Sequence, residues 1–118
     1  MGAGVIISLP MPPSTNNLFA TYNGRRIITR GYKAWKLAAG ASLSRYAPEP
    51  LERPYGVHIR LNMDHRGDVD NRAKPVLDLL VSHKVISGDN FVNTLRIDRD
   101  RTVSECEVEI WSLAGEGA

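Results

Sequence analysis

The sequence predicts one α/β (α+β) domain, a mixed β-sheet with two helices packed on one of its faces. Three observations point there. The 118 residues give room for one core, enough to fold alone. Residues 55–64 alternate apolar and polar side chains with a period of two, the mark of a half-buried strand. Helical apolar spacing at 32–46 and again at 71–83 separates the strand-like segments, the element order of a layered α/β fold.

Each element has a local reason. Val5, Ile6, Ile7 and Leu9 form a short apolar strand, closed by Pro10, Pro12 and Pro13, which cannot sit in a central ladder. Ser14-Thr15-Asn16-Asn17 reads as a polar turn, Tyr22-Asn23-Gly24-Arg25 as a second, and Arg26 to Thr29 as a short strand. From Tyr32 to about Tyr46 a helix is expected, with Trp35, Leu37, Ala38, Ala39 and Leu43 on its inner face and Lys33, Lys36 and Arg45 outward. Pro48 and Pro50 close it. Tyr55, Val57, Ile59, Leu61 and Met63 then alternate with Gly56, His58, Arg60, Asn62 and Asp64 in the clearest strand of the chain.

A second helix is expected from about Asn71 to His83, burying Val76, Leu77, Leu80 and Val81. Ser87-Gly88-Asp89-Asn90 is turn chemistry. Strands over Phe91 to Ile97 and Thr102 to Trp111 follow, joined near Asp98 to Arg101 as a hairpin, with Cys106, Val108 and Ile110 inward. Residues 114–118 are small and glycine-rich, and are expected to fray. No repeat or linker divides residues 1–118.

Composition narrows the function. No apolar run approaches the ~20 residues a bilayer crossing needs, so no membrane partner is expected. Met1 to Leu9 lacks the features of a secretory signal, and the single cysteine, Cys106, cannot form an internal disulfide. A cytoplasmic protein is the expectation. The net charge of +2 hides an asymmetry. Residues 1–60 hold eight Lys/Arg against two acids, and residues 61–118 hold seven against eleven, so the halves carry +6 and −4. Arg25, Arg26, Arg30, Lys33, Lys36 and Arg45 follow one another with no acid between them. Such a segment beside an acidic cluster suits a phosphate polyanion held over a metal site, although a solvated helix face explains it too.

The acidic chemistry concentrates in His65-Arg66-Gly67-Asp68-Val69-Asp70-Asn71-Arg72-Ala73-Lys74. Two carboxylates spaced by two in an extended segment point the same way, and Mg²⁺ asks for one or two carboxylates plus water and substrate phosphate. Lys74 falls about one helical turn on, where an ammonium can meet a phosphate or a developing negative charge. Asp78 lies a further turn along and is the weaker candidate. Taken alone, the segment reads first as a helix start: Asp70 or Asn71 as N-cap, Asp68 as a turn acid, Lys74 as a solvated side chain. Asp89 is likewise an ordinary turn residue by itself.

In combination these segments resemble the RusA family of Holliday junction resolvases, the crossover junction endodeoxyribonucleases of bacteria and their phages. The likeness rests on Leu9-Pro10-Met11-Pro12-Pro13-Ser14-Thr15-Asn16-Asn17, on Asp68-Val69-Asp70-Asn71-Arg72-Ala73-Lys74 with Asp78-Leu79-Leu80 behind it, and on Gly88-Asp89-Asn90-Phe91-Val92. It implies a RusA-like fold and a bacterial or phage-encoded protein. By this resemblance Asp68, Asp70 and Asp89 hold the divalent metal and Lys74 is needed for cleavage. Mg²⁺ is the implied cofactor, with Mn²⁺ able to substitute. The implied unit is a homodimer that nicks two opposed strands of a four-way DNA junction, in DNA recombination and repair. Two positions depart from the family pattern: Pro75 follows Lys74 directly, and Gly88 stands where relatives often carry a second Asp.

DNA contacts are expected from Arg25, Arg26, Arg30 and Lys33, with Arg66 and Arg72 beside the site and Asn16 and Asn17 at its edge. His58, His65 and His83 share no ligand spacing with Cys106, so zinc is not expected. Asp98 and Asp100, set among Arg96, Arg99 and Arg101, read as surface ion pairing. The leading expectation is a metal-dependent, structure-selective endonuclease. A non-catalytic branched-DNA-binding protein of the same fold, its turnover lost through Pro75, is the alternative, and a small-molecule phosphohydrolase fits the basic first half less well.

Overall fold

A computed structural model describes residues 4–46 and 49–115. Its main sheet has the strand order β1-β6-β4-β5, built from β1 (Val5–Leu9), β4 (Tyr55–Leu61), β5 (Val92–Arg99) and β6 (Cys106–Ser112). β6 runs antiparallel to both β1 and β4, while β4 and β5 are parallel, so the sheet is mixed as expected. Alternation decides which face is covered. Ile7 and Leu9, Val57, Ile59 and Leu61, and Cys106, Val108 and Ile110 are buried beneath the helices α1 (Arg30–Tyr46) and α2 (Ala73–Ser82). The opposite face is ionic. Arg60 reaches Glu107 and Glu109 at 3.1 Å each, and His58 and Arg96 share Asp98 at 2.6 and 2.8 Å. Burial among these strands pushes the Cys106 thiol up to about 12, so it packs as an apolar residue and not as a nucleophile.

The last two strands correct the hairpin expectation. β5 and β6 do not pair; β4 lies between them. The reason is the helix before β5: a strand, a helix and a second strand in one sheet favour a parallel crossover, which α2 supplies. The connection after β5 therefore wraps the end of β4. Asp100 donates its backbone N–H to Leu61, Asn62 donates its own to Glu105, and the Asn62 amide reaches the Val103 carbonyl. β6, which alternates Cys106, Val108 and Ile110 with Glu107 and Glu109, has a buried face and two partners; β5, exposed over Asn93 to Arg96, forms an edge.

A second sheet is a small hairpin. β2 (Phe19–Tyr22) pairs with β3 (Arg25–Ile28), joined at Asn23 and Gly24, both at positive φ as a two-residue hairpin turn of this kind requires. The expected strand at Arg26 to Thr29 thus begins one residue earlier. Its partner Phe-Ala-Thr-Tyr leaves no signal in the sequence because all eight hairpin residues stay exposed and no face alternates.

Both helices turn slightly from their expected faces. In α1 the buried positions are Tyr32, Trp35, Ala39, Gly40 and Leu43, which follow the 3.6-residue repeat; Leu37 and Ala38 point to solvent, Leu37 at 74% exposure. Lys33, Lys36 and Arg45 are outward as expected. In α2 Val76, Leu79 and Leu80 are buried, while Leu77 and Val81 are half-covered. Gly40 has a purpose here: an added Cβ would stand 3.1 Å from the His83 ring that caps α2. Gly56 is tighter still, since its missing Cβ would fall 2.3 Å from the Trp111 indole paired across from it. The end of α1 at Pro48 and the tail at 116–118 lie outside the described residues.

Pro75 neither kinks nor breaks α2. A 3-10 turn over Asp70–Arg72 comes first, the α-helix begins at Ala73, and Pro75 is its third residue. The first four N–H groups of a helix have no acceptor within it, so a proline there sacrifices nothing. The ring delays the helix start and is itself buried.

Candidate functional site

Three chain segments meet at one end of the main sheet. The register places Leu9, Cys106, Leu61 and Arg99 side by side there, so the stretches following Leu9, Leu61 and Arg99 leave from the same edge. Pro10 to Asn17 runs across that edge and is fastened at three points. The Trp35 indole donates to the Pro10 carbonyl at 2.9 Å, Arg72 donates to the Pro12 carbonyl at 2.7 Å, and the Thr15 hydroxyl donates to the Asn71 carbonyl at 2.7 Å. Its 3-10 turn, Thr15–Asn17, is capped by the Ser14 hydroxyl, which accepts from the Asn16 N–H. The Pro-Pro-Ser stretch and the Asp68–Lys74 stretch, nearly 60 residues apart in sequence, are thereby held together.

Arg99 fixes the loop that carries the acids. Its guanidinium donates to the backbone carbonyls of Asp64 and Gly67, one residue before Asp68. Beside it the Asp64 carboxylate accepts from the Arg66 backbone and guanidinium, at 2.9 and 2.8 Å. Those bonds hold the Asp64 carboxyl at about 2, below the usual carboxylate range. A folded-state value below the unfolded one means the pairing is fully present above the normal range and is lost as pH falls through about 2. A ¹³C titration should therefore place the Asp64 midpoint near 2, and Arg66→Ala should return it toward the ordinary range; an unchanged midpoint in that variant would show that Arg66 is not its cause.

The acids divide into two groups. Among the described residues beyond 60, Asp64, Asp78, Asp98, Asp100, Glu105, Glu107 and Glu109 each take an ion pair or hydrogen bond. Asp68, Asp70 and Asp89 are exposed and have none among the described residues. These three are the carboxylates the sequence singled out. Asp70 opens its 3-10 turn and Lys74 follows in the first turn of α2. The Lys74 ammonium rests 3.4 Å from Asp78, an exposed pair four residues apart of the kind worth only ~0.3–0.5 kcal/mol, so a phosphate can draw it away.

Asp89 lies elsewhere. It opens a short 3-10 turn (Asp89–Phe91) that leads into β5 at the Tyr55 end of β4, whereas Asp68 and Asp70 follow the Leu61 end. Six strand steps separate the two ends, roughly 20 Å. Arg53, whose guanidinium covers the Phe91 ring at 4.4 Å, marks that far end. Accordingly, no group of three or more His, Cys, Asp or Glu among the described residues is arranged to hold a metal ion within one chain. The oxygen donors of Asp68 and Asp70 do fit a hard divalent cation that keeps water and phosphate as its remaining ligands.

The cationic residues of the first half lie at the surface. Arg25, Arg26, Arg30, Lys33 and Lys36 are exposed on the hairpin and the first turns of α1. α1 is capped by Thr29, whose hydroxyl accepts from the Tyr32 N–H, and Tyr32 faces Asp78 closely enough that burial and that carboxylate together raise its pKa. The start of α1 thus faces Asp78, the partner of Lys74. Arg66 is exposed but paired to Asp64, and Arg72 spends part of its fork on Pro12. Asn16 and Asn17 are exposed at the edge of the 3-10 turn. Sequence reasoning missed the tethering roles of Arg99 and Thr15, because both act on backbone carbonyls, which leave no pattern of side-chain types.

No helix among the described residues is long and apolar enough to cross a membrane. A family model described as Endodeoxyribonuclease RusA matches residues 10–111. Compared with curated proteins, the chain has no significant match.

Proposed function

The chain belongs to the RusA endodeoxyribonuclease family, and from that premise we propose that it resolves four-way DNA junctions in recombination and repair by paired, Mg²⁺-dependent hydrolysis of opposed strands. The observation that carries this is the set of unpaired acids: after residue 60, only Asp68, Asp70 and Asp89 lack a partner within the chain among the described residues. Leaving exposed acids unpaired beside a cationic face has a chemical use when they receive a cation with the substrate.

The residues divide the work. Asp68 and Asp70 would hold the ion, on a loop kept in place by Arg99 and by the Pro10–Asn17 strap. When bound, Mg²⁺ supplies Lewis-acid polarisation of the phosphate and lowers the cost of forming the attacking hydroxide; Mn²⁺ can do the same. Lys74 leaves Asp78 to meet a non-bridging oxygen of the scissile phosphate, where its charge is worth most as negative charge builds. Arg25, Arg26, Arg30 and Lys33 bind the phosphates of the arms and set the register. Asp89 leads into β5 at the far end of β4 and forms no metal-holding group with Asp68 and Asp70 among the described residues of one chain; in the proposed homodimer it would complete the Asp68/Asp70 site of the other subunit. A dimer built this way also presents two sites to two strands, as paired nicking requires.

The non-catalytic alternative depended on Pro75 distorting the helix start, and Pro75 sits where a helix tolerates it. The decisive experiment incubates the protein with a four-way junction and a matched linear duplex, with Mg²⁺ or with EDTA. Symmetric nicks on the junction alone, present only with Mg²⁺, are the expected result. Tight junction binding with no cleavage in either metal would return the alternative to first place.

A further inference from the structure

Between the hairpin and the 3-10 turn at Thr15–Asn17 lies a groove of about 340 Å³, lined by Thr15, Asn16, Phe19, Ala20, Thr21 and Arg26. Its volume falls at the lower end of the ~300–1,000 Å³ of small-ligand pockets. We infer that this groove receives one unpaired nucleobase of the strand being cut and thereby selects the base beside the cleaved phosphate. The inference rests on the endonuclease function proposed above and adds to it a site for reading the substrate.

Four observations lead to it. The first is position. Thr15, which lines the groove, donates its hydroxyl to the carbonyl of Asn71, the residue after Asp70, so the groove adjoins the turn that carries Asp70.

The second is the lining. The Arg26 guanidinium lies over the Phe19 ring at 4.0 Å, and that ring meets Tyr32 edge-on at 6.1 Å. A flat cation backed by an aromatic ring is a surface on which any base can stack. The third is hydrogen-bonding capacity. Asn16 is exposed, and its side-chain amide, unpartnered among the described residues, offers both a donor and an acceptor to a base edge. The fourth is charge. No acid lines the groove and the Arg26 guanidinium does, so its own lining favours a polyanion.

A base rather than a phosphate is the natural occupant. A phosphate would be met by several converging N–H donors, whereas this groove offers one guanidinium spread over a ring and one amide. Cross-strand register supports the assignment. Phe19 pairs with Ile28 and Thr21 with Arg26, so these four side chains share the face turned toward Tyr32, while Tyr22 and Arg25 face the other way. Arg25 therefore serves the backbone alone, while Arg26 backs the base as well as meeting a phosphate of the arm.

The test uses a junction carrying 2-aminopurine on either side of the cleaved phosphate, with the same probe in mid-arm as a control, in EDTA to prevent turnover. Wild-type protein is expected to raise the fluorescence at one flanking position only. Phe19→Ala should weaken that response roughly tenfold in affinity, the scale of losing one stacked base, and Phe19→Tyr should retain it. Because Phe19 also packs on Tyr32, Asn16→Ala provides an arm that leaves the hairpin contacts intact. In Mg²⁺, this variant should flatten the ratio of cleavage rates between the best and worst bases at the cut, roughly tenfold toward unity. No fluorescence change at any flanking position, or an unaltered ratio in Asn16→Ala, overturns the assignment. Failure of the wild-type protein to cut any junction in Mg²⁺ would instead strike the endonuclease function, and the EDTA arm would still show whether the groove takes a base.

Discussion

Asp70→Asn is expected to abolish junction cleavage while leaving the protein folded and junction binding intact. Asn keeps the shape and one acceptor oxygen of Asp70 but removes the charge that a hard cation requires. Removing groups that only support a metal ligand already costs about 10–100-fold. Loss of a ligand itself should therefore cost at least roughly 100-fold in rate. Stability should hardly move, since the Asp70 side chain is exposed and has no ion pair or hydrogen bond among the described residues; surface changes of this kind stay within ~0.5 kcal/mol. Binding should persist because affinity comes from lysine and arginine contacts to phosphate, not from the acids. Single-turnover cleavage, thermal melting and gel-shift titration separate the three quantities. Full cleavage activity in Asp70→Asn would remove Asp70 from the chemistry and leave the Asp68 loop without an evident purpose.

Much of the fold and of the candidate site was legible in the sequence, for identifiable reasons. Strands β4 and β6 each bury one face, so Val57, Ile59 and Leu61, and Cys106, Val108 and Ile110, had to alternate. The Asp68–Lys74 segment stood out because two acids and a lysine at that spacing suit a cation and a phosphate. Other features were hidden by their physics. The β2 strand has no buried face, so nothing constrains its side chains to alternate. Arg99 resembled one more surface arginine among Arg96 and Arg101, because its targets are main-chain carbonyls of Asp64 and Gly67.

The pairing of β5 was misjudged for a different reason. Adjacent strands in sequence suggested a hairpin, but a helix between β4 and β5 already favours a parallel crossover, which sends β5 to the outer edge of β4. That signal was available, and it matters for function. The same crossover carries Asp89 to the opposite end of the sheet from Asp68 and Asp70.

The separation of Asp89 from the other two acids yields the sharper prediction, a recovery of activity from two inactive proteins. Asp70→Asn and Asp89→Asn should each be inactive alone. If every site combines Asp68 and Asp70 of one subunit with Asp89 of another, a mixed dimer of the two variants holds one site with both defects and one with none. Co-expressed variants that pair at random form mixed dimers about half the time, each with one working site of two, so about a quarter of the wild-type sites return. The product should change as well: mixed dimers nick one strand of a junction and leave its partner whole. A site drawn from a single chain gives the opposite result, since both sites of a mixed dimer are then damaged and no activity returns. Absence of recovery, with mixed dimers confirmed by differential tags, would mean that Asp89 does not share a metal with Asp68 and Asp70 across subunits. Within one chain the described residues bring no three such groups together around a metal, so Asp89 would then lose its place in the metal site.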